Sequence, residues 1–140
     1  MNSIPDDALA QLMADARLIA SVGLVDDPSR PSYQVAMYQQ SQGYKVIPVN
    51  PNVDSVLGHK AVPSVQAIAE PVDIVNVFTH GDQAPRIVED AVAKGAKAIW
   101  LQPGVESPEA EAKARQAGLQ VISHRCFKTE HQRLLANRPM

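Results

Sequence analysis

The loop that follows the first apolar segment combines residue types that bind anions. Over residues 22–32 it reads Val-Gly-Leu-Val-Asp-Asp-Pro-Ser-Arg-Pro-Ser, so a glycine turn leads into a helix start. Backbone N–H groups at a helix start have no partner within the helix and favour a negatively charged ligand. Arg30 adds a planar guanidinium suited to phosphate, and Ser32 adds a hydroxyl. The pattern predicts phosphate contact; the alternative is purely structural, with a tight turn at Gly23, an ion pair of Arg30 with a neighbouring aspartate, and a serine cap.

The same loop does not match the dinucleotide pattern of NAD enzymes. That pattern, G-x-G-x-x-G, needs three glycines, whereas Val25 and Pro28 occupy the second and third positions. The second apolar segment then leads into Asn50 and Pro51 rather than into the acidic residue that would bind a ribose diol. The sequence therefore disfavours ordinary NAD binding and indicates a nucleotide ligand held in another way.

Residue types that often act in catalysis occur in this sequence, but they are scattered along the chain. The histidines at positions 59, 80, 124 and 131 do not have the spacing of metal ligands. No isolated carboxylate pair, nucleophile elbow or lysine-bearing phosphate loop is present in the sequence. We therefore expect neither a metal site nor catalytic residues.

The single cysteine, Cys126, has two interpretations. It lies near the start of a predicted helix, with Arg125 and Lys128 beside it, an environment that favours a thiolate. The other interpretation is a small residue that packs beneath the last helix.

Composition limits the class of protein. The chain has 140 residues and a net charge of -2, from 13 Lys and Arg against 15 Asp and Glu, which argues against a nucleic-acid or membrane-surface binder. No apolar run approaches a membrane span, and the acidic start does not resemble a signal peptide. We expect a cytoplasmic protein, because a single cysteine cannot form an internal disulfide and fits a reducing compartment. We also expect a single domain over residues 1–140, with an N-terminal helix at about 5–16 and a core at about 17–135.

Apolar runs rich in valine and isoleucine recur at nearly even intervals and predict strands. They are continuous rather than alternating, as expected for parallel strands covered on both faces. The predicted strands are Leu18 to Val22, Val46 to Val49, Val72 to Phe78, Ala98 to Leu101 and Leu119 to Ile122. Helices are predicted over residues 5–16, 31–42, 64–69, 82–95, 107–118 and 128–136, with a frayed end at 137–140.

Alternating strands and helices predict a doubly wound α/β fold: a five-stranded parallel sheet, order 3-2-1-4-5, with helices on both faces. Ligands of such sheets bind beyond the carboxyl ends of the strands, where the winding reverses. That point lies between the first and fourth strands in the predicted order. The loops that would form a site there are 23–32, 50–52, 78–81, 102–107 and 123–127.

Several short motifs together carry a family resemblance over about residues 17–135. They are Val22-Gly23-Leu24, Pro28 to Ser32, Gly43 to Pro51, Leu57-Gly58, Val72 to Val75, Gly95 to Gln102, Gly118-Leu119 and Arg125-Cys126. With them the chain resembles the small stand-alone CoA-binding domain family, which is related to the CoA-binding domain of the succinyl-CoA synthetase alpha subunit. The resemblance implies a Rossmann-like fold that binds coenzyme A, with the adenosine phosphates near the first loop and the pantetheine arm across the strand ends.

The resemblance also implies a set of binding residues. It places them in the first loop, after the second and third strands, and after the fourth strand: Gly23, Leu24, Val25, Arg30, Pro31, Ser32, Asn50, Pro51, Val77, Phe78, Gln102 and Gly104. The expected function is binding of CoA or acyl-CoA without chemistry of its own, with a homodimer possible. The alternatives are an enzyme or enzyme subunit acting on a CoA thioester, and a regulatory or scaffold protein with a degenerate pocket. A mixed disulfide between Cys126 and the CoA thiol is a further hypothesis.

Overall fold

Five parallel strands form the central sheet in a computed structural model that describes residues 4–136. They are β1 (Leu18–Val22), β2 (Lys45–Val49), β5 (Ile74–Val77), β6 (Ala98–Leu101) and β7 (Gln120–Ser123). Two short strands, β3 (Ser55–Val56) and β4 (His59–Lys60), pair separately as an antiparallel hairpin. The predicted fraying of residues 137–140 lies outside the described residues.

Helices connect the strands close to the predicted positions. They are α1 (Asp6–Asp15), α2 (Pro31–Ser41), α3 (Ala84–Lys94), α4 (Pro108–Gln116) and α5 (Phe127–His131), which a π-helical turn continues over Gln132–Ala136. The helix predicted over residues 64–69 is only a 3-10 turn, Val65–Ala67. Local signals explain α4, because the hydroxyl of Ser107 accepts a hydrogen bond from the Ala110 N–H and Pro108 occupies the first turn.

The α/β class and the five-stranded parallel sheet are confirmed, but the third main strand lies elsewhere than predicted. The order is β2-β1-β5-β6-β7, which counts as 2-1-3-4-5 over the five strands, whereas 3-2-1-4-5 placed the third strand outside the second. Both arrangements allow right-handed crossovers. Pro48 in β2 has no N–H to donate and suits an edge strand, while β5 is buried along its whole length and suits the interior. The winding therefore reverses between β1 and β5.

Side chains on the two faces of the sheet form two cores, so the predicted helices on both faces are confirmed. On one face Ala20, Val75 and Ile99 pack in the core that includes residues of α3 and α4. On the other face lie α1, α2 and α5. Trp100 is fully buried there, with its ring centroid 5.0 Å from that of Phe127.

Asp73 joins strands at the amino edge of the sheet. Its carboxylate accepts hydrogen bonds from the backbone N–H groups of Arg17 and Leu18, at 2.9 and 3.1 Å, and lies 3.5 Å from the Lys97 ammonium. Burial alone would raise the pKa of Asp73, but these donors and the positive charge lower it.

No helix within residues 4–136 combines the length and apolar character needed to cross a membrane.

Candidate functional site

Gly23 brings two strand-end loops together where the winding reverses. Its N–H donates to the Val49 carbonyl at 2.9 Å, and its φ is +90°, a left-handed value that favours glycine. A Cβ at this position would lie 2.9 Å from Cγ2 of Thr79 and 3.3 Å from the Thr79 backbone nitrogen. Glycine is therefore needed for the first loop to pass so close to the loop after β5.

Two side chains at the start of α2 carry donors that have no partner within residues 4–136. Arg30 is the N-cap residue, and no side chain caps the helix. Ser32 is only 5% exposed, and among the described residues its hydroxyl has no hydrogen-bond partner. Arg30 is exposed, and its guanidinium forms no ion pair within residues 4–136. The structural alternatives for these two side chains, an Arg30–aspartate pair and a serine cap, are therefore absent from this part of the chain.

Asp27 shapes the loop before this helix. Its carboxylate accepts hydrogen bonds from the hydroxyl and N–H of Ser29, at 2.8 and 3.0 Å. These two bonds lower the pKa of Asp27, to which the more distant charge of Arg30 adds. The side chain of Asp27 thus stabilises the turn before α2 by hydrogen bonds within the loop.

A cavity of about 350 Å³, the α2 cavity, opens beside Arg30 and Ser32. Arg30 is the one charged residue among the described residues that line it. The other residues of its wall are uncharged, and most of them are apolar. The lining residues are Gly23, Val25, Arg30, Pro31, Ser32, Val35, Phe78, Gln102, Pro103, Val105 and Cys126.

A second cavity, the β2 cavity, lies on the other side of Gly23 and has a volume of about 590 Å³. Its charged lining residues are two aspartates and one arginine, Asp82, Asp90 and Arg86. Thr79 also lines this cavity, and its buried hydroxyl has no hydrogen-bond partner among the described residues. Because Gly23 borders both cavities, a bent ligand can occupy both by crossing this glycine.

Asn50 ties the loop after β2 to the first loop. Its side-chain nitrogen donates to the Leu24 carbonyl at 3.1 Å, and its side-chain oxygen accepts from the Asn52 N–H at 2.9 Å. Asn50 therefore positions the wall of the β2 cavity as well as lining it.

Gln102 positions the opposite wall of the α2 cavity. It is 1% exposed, and its side-chain nitrogen donates to the Asn76 carboxamide oxygen at 3.2 Å. Its side-chain oxygen accepts from the Phe127 N–H at 3.3 Å. The residue thus connects β6, β5 and the start of α5.

The structure brings most of the predicted residues to these two cavities. Seven of them line the α2 cavity: Gly23, Val25, Arg30, Pro31, Ser32, Phe78 and Gln102. Asn50 and Pro51 line the β2 cavity. In contrast, Leu24 and Val77 are buried in the core, and Gly104 lies in an exposed turn with φ of +93°.

The predicted set of binding residues did not include four residues that matter for the cavities, although two of them, Thr79 and Cys126, lie in loops that were expected to form the site. Val35 follows Ser32 by one helical turn, so the periodicity of α2 contained the signal. Thr79 and Arg86 reach the β2 cavity because β5 lies beside β1, which the predicted order did not place there. Cys126 was singled out for its chemistry, and its loop, 123–127, was expected at the site, but it was not included in the predicted set of binding residues.

The histidines do not gather around either cavity. His131 is buried, its Nδ1 lies 2.7 Å from the Tyr38 hydroxyl, and burial lowers the pKa of its imidazole. His80 follows β5, which is an interior strand and not the sheet edge that the predicted order implied. Within residues 4–136, no three histidine, cysteine or acidic side chains are placed to hold a metal ion.

Comparison with known proteins agrees with this geometry. Residues 17–132 match a family model described as a CoA binding domain. The chain belongs to this CoA-binding domain family. YneT, an uncharacterized protein of Bacillus subtilis, is 39% identical over 123 residues, which cover 88% of this chain and 91% of YneT.

Two further comparisons relate this CoA-binding domain to a solved structure and to larger enzymes. A hypothetical protein from Pyrococcus horikoshii has a TM-score of 0.94 at 36% identity, over 96% of this chain and 95% of that one. The alpha subunit of an ADP-forming acetate–CoA ligase from Pyrococcus furiosus is 30% identical over 111 residues, covering 78% of this chain but 24% of the subunit. The chain thus corresponds to about a quarter of that subunit.

Proposed function

We propose that the protein binds coenzyme A or an acyl-CoA at the carboxyl edge of its sheet and has no catalytic machinery of its own. The observation that carries the proposal is the pair Arg30 and Ser32, whose donors lack partners among the described residues and lie at one cavity. A guanidinium and a hydroxyl both donate hydrogen bonds to phosphate oxygens, and the charged guanidinium forms the stronger ones. Membership of the CoA-binding domain family supports CoA as the ligand that carries these phosphates.

The two cavities fit the bipartite shape of CoA. A pyrophosphate near Gly23 and Arg30 would leave adenosine and pantetheine to extend in opposite directions, one into each cavity. The α2 cavity carries the single positive charge of Arg30, whereas the β2 cavity has two aspartates against Arg86. The electrostatic potential therefore favours phosphate on the Arg30 side of Gly23 and an uncharged part of the ligand in the β2 cavity.

Apolar walls provide the remaining recognition. Val25, Val35, Phe78 and Val105 face the α2 cavity, where they are suited to contact with methylene groups or an aromatic base. Polar atoms that fix the orientation of a ligand are few, as is usual for such pockets. The Ser32 hydroxyl is one of them.

Calorimetric titration with CoA, acetyl-CoA and NAD tests the proposal. We expect CoA to bind more tightly than NAD, and Arg30→Gln to weaken CoA binding by about 1 to 3 kcal/mol at low salt, the value of a charge-assisted hydrogen bond. Arg17→Gln is the matched control, because Arg17 is exposed at the opposite edge of the sheet, next to Asp73. Equal affinities for CoA and NAD, or equal losses in the two arginine variants, would contradict the proposal.

A second candidate is an enzyme or enzyme subunit that acts on a CoA thioester. The similarity to part of an acetate–CoA ligase subunit favours it. Release of free thiol from acetyl-CoA by the protein, abolished by Arg30→Gln, would support this function over simple binding. A regulatory or scaffold protein with a degenerate pocket would bind none of the three ligands.

A further inference from the structure

Trp100 of β6 and Gln102, the residue that follows β6, hold the backbone on either side of Cys126 in place. Trp100 Nε1 donates to the carbonyl of Arg125 at 2.7 Å, and the side-chain oxygen of Gln102 accepts from the N–H of Phe127 at 3.3 Å. The peptide groups on both sides of Cys126 are therefore fixed by buried residues. A thiol on such a backbone is held in a defined position.

That position is the wall of the α2 cavity. Cys126 is free and partly exposed, unlike its fully buried neighbour Phe127. It shares the cavity with Arg30 and with Ser32, a side chain more than nine-tenths buried whose hydroxyl lacks a partner among the described residues. The thiol thus faces a space with built-in donors for an anionic ligand.

We propose that Cys126 exchanges with low-molecular-weight disulfides that carry negative charge. The Cys126 thiolate attacks one sulfur of the disulfide, a new sulfur–sulfur bond forms, and the old one breaks. The leaving half departs as a thiolate and takes up the proton that Cys126 lost, while the disulfide is the oxidant. Arg30 selects the charge of the reagent by attracting its anionic group into the cavity.

The adduct would control the site described above. A mixed disulfide on Cys126 occupies a cavity of only about 350 Å³, so it competes with any ligand placed there. This consequence rests on the proposed function, whereas the exchange reaction and its charge preference do not. Oxidised protein would therefore release CoA, and reduction would restore binding.

The exchange is measured by intact mass over time, with dithiobis(nitrobenzoate), a dianion, and cystamine, a dication, at low ionic strength. We expect an adduct on wild type and none on Cys126→Ser. Arg30→Gln should slow the anionic reagent about three- to tenfold without slowing cystamine. Lys128→Gln is the matched control: Lys128 is two residues from Cys126, but its ammonium lies 5.9 Å from the Tyr38 ring centroid. This substitution should change the ratio of the two rates less than twofold.

Three results would overturn the inference. The first is an adduct that forms only after unfolding in urea. The second is the same ratio of the rates with the anionic and cationic disulfides in Arg30→Gln and Lys128→Gln. The third is an adduct that binds CoA with the affinity of the reduced protein. In Cys126→Ser, samples treated with oxidant or reductant should bind CoA alike. If reduced wild type binds no CoA but shows the charge-selective exchange, the proposed function fails and the reactive site remains.

Discussion

Gly23 is the position where a single added methyl group tests both the fold and the site. In Gly23→Ala the backbone must hold an alanine at φ of +90°, and the new Cβ must fit 2.9 Å from Cγ2 of Thr79. The left-handed conformation costs about 1 to 2 kcal/mol for a residue other than glycine. Overpacking adds about 1 to 3 kcal/mol, because the backbone nitrogen of Thr79, at 3.3 Å, limits how far the loop can yield.

The two contributions can be separated with variants of the same chain. Gly104→Ala imposes the same conformational cost, since Gly104 has φ of +93°, but its Cβ would meet nothing within 4 Å. We expect it to lose about 1 to 2 kcal/mol of unfolding free energy and Gly23→Ala to lose about 2 to 5 kcal/mol. Adding Thr79→Ser to Gly23→Ala removes the clashing methyl and should recover part of the difference.

Urea unfolding followed by Trp100 fluorescence measures these values, because the single tryptophan is fully buried. Gly23→Ala should also weaken CoA binding, since Gly23 borders both cavities. Equal losses of stability in Gly23→Ala and Gly104→Ala would show that the close approach of Gly23 to Thr79 has no energetic role.

Three other predictions concern groups described above. Gln102→Met should cost about 1 to 3 kcal/mol of stability by leaving buried partners unpaired, and should also weaken CoA binding; unchanged stability in urea would contradict it. The folded-state pKa of His131 is lowered, so the unfolded chain takes up the proton at a higher pH than the folded one. The stability of the protein should therefore fall as the pH drops below about 6.5. In thermal unfolding, the loss of stability over this pH range should be smaller for His131→Gln than for wild type. The pKa of Asp73 is also lowered, so its contribution is present above its ordinary value of 3.8 and is lost as the pH falls through the folded-state pKa. Asp73→Asn should therefore be less stable than wild type at neutral pH, and the difference should shrink in acid. Its affinity for CoA, measured by titration, should equal that of wild type.

Hydrophobic pattern was sufficient to predict the main elements of the fold. The prediction for β1 agrees with the structure at both ends, because a run of five buried residues has no competing pattern. The β3–β4 hairpin was not predicted, since each strand has two residues and its turn places Leu57, not asparagine or glycine, at a positive φ of 52°. Short strands and an atypical turn leave little signal in a sequence.

The residues of the first loop were predictable because one contiguous stretch contains the turn, the cation and the helix start. Gln102 was expected to touch the ligand, but its two hydrogen bonds also make it a support for the cavity wall. Leu24 points into the core, as its buried position shows, because loop composition alone does not determine which side chains face the solvent.

The position of β5 determines which residues can act together, and a single sequence does not specify it. With the third strand at the sheet edge, the loop after it would lie far from Gly23. With β5 beside β1, Thr79 contacts the position of Gly23, and Arg86 enters the wall of the same cavity. The two cavities therefore depend on strand order as well as on local motifs, because the pairing of β1 with β5 brings the loop after β5 beside Gly23.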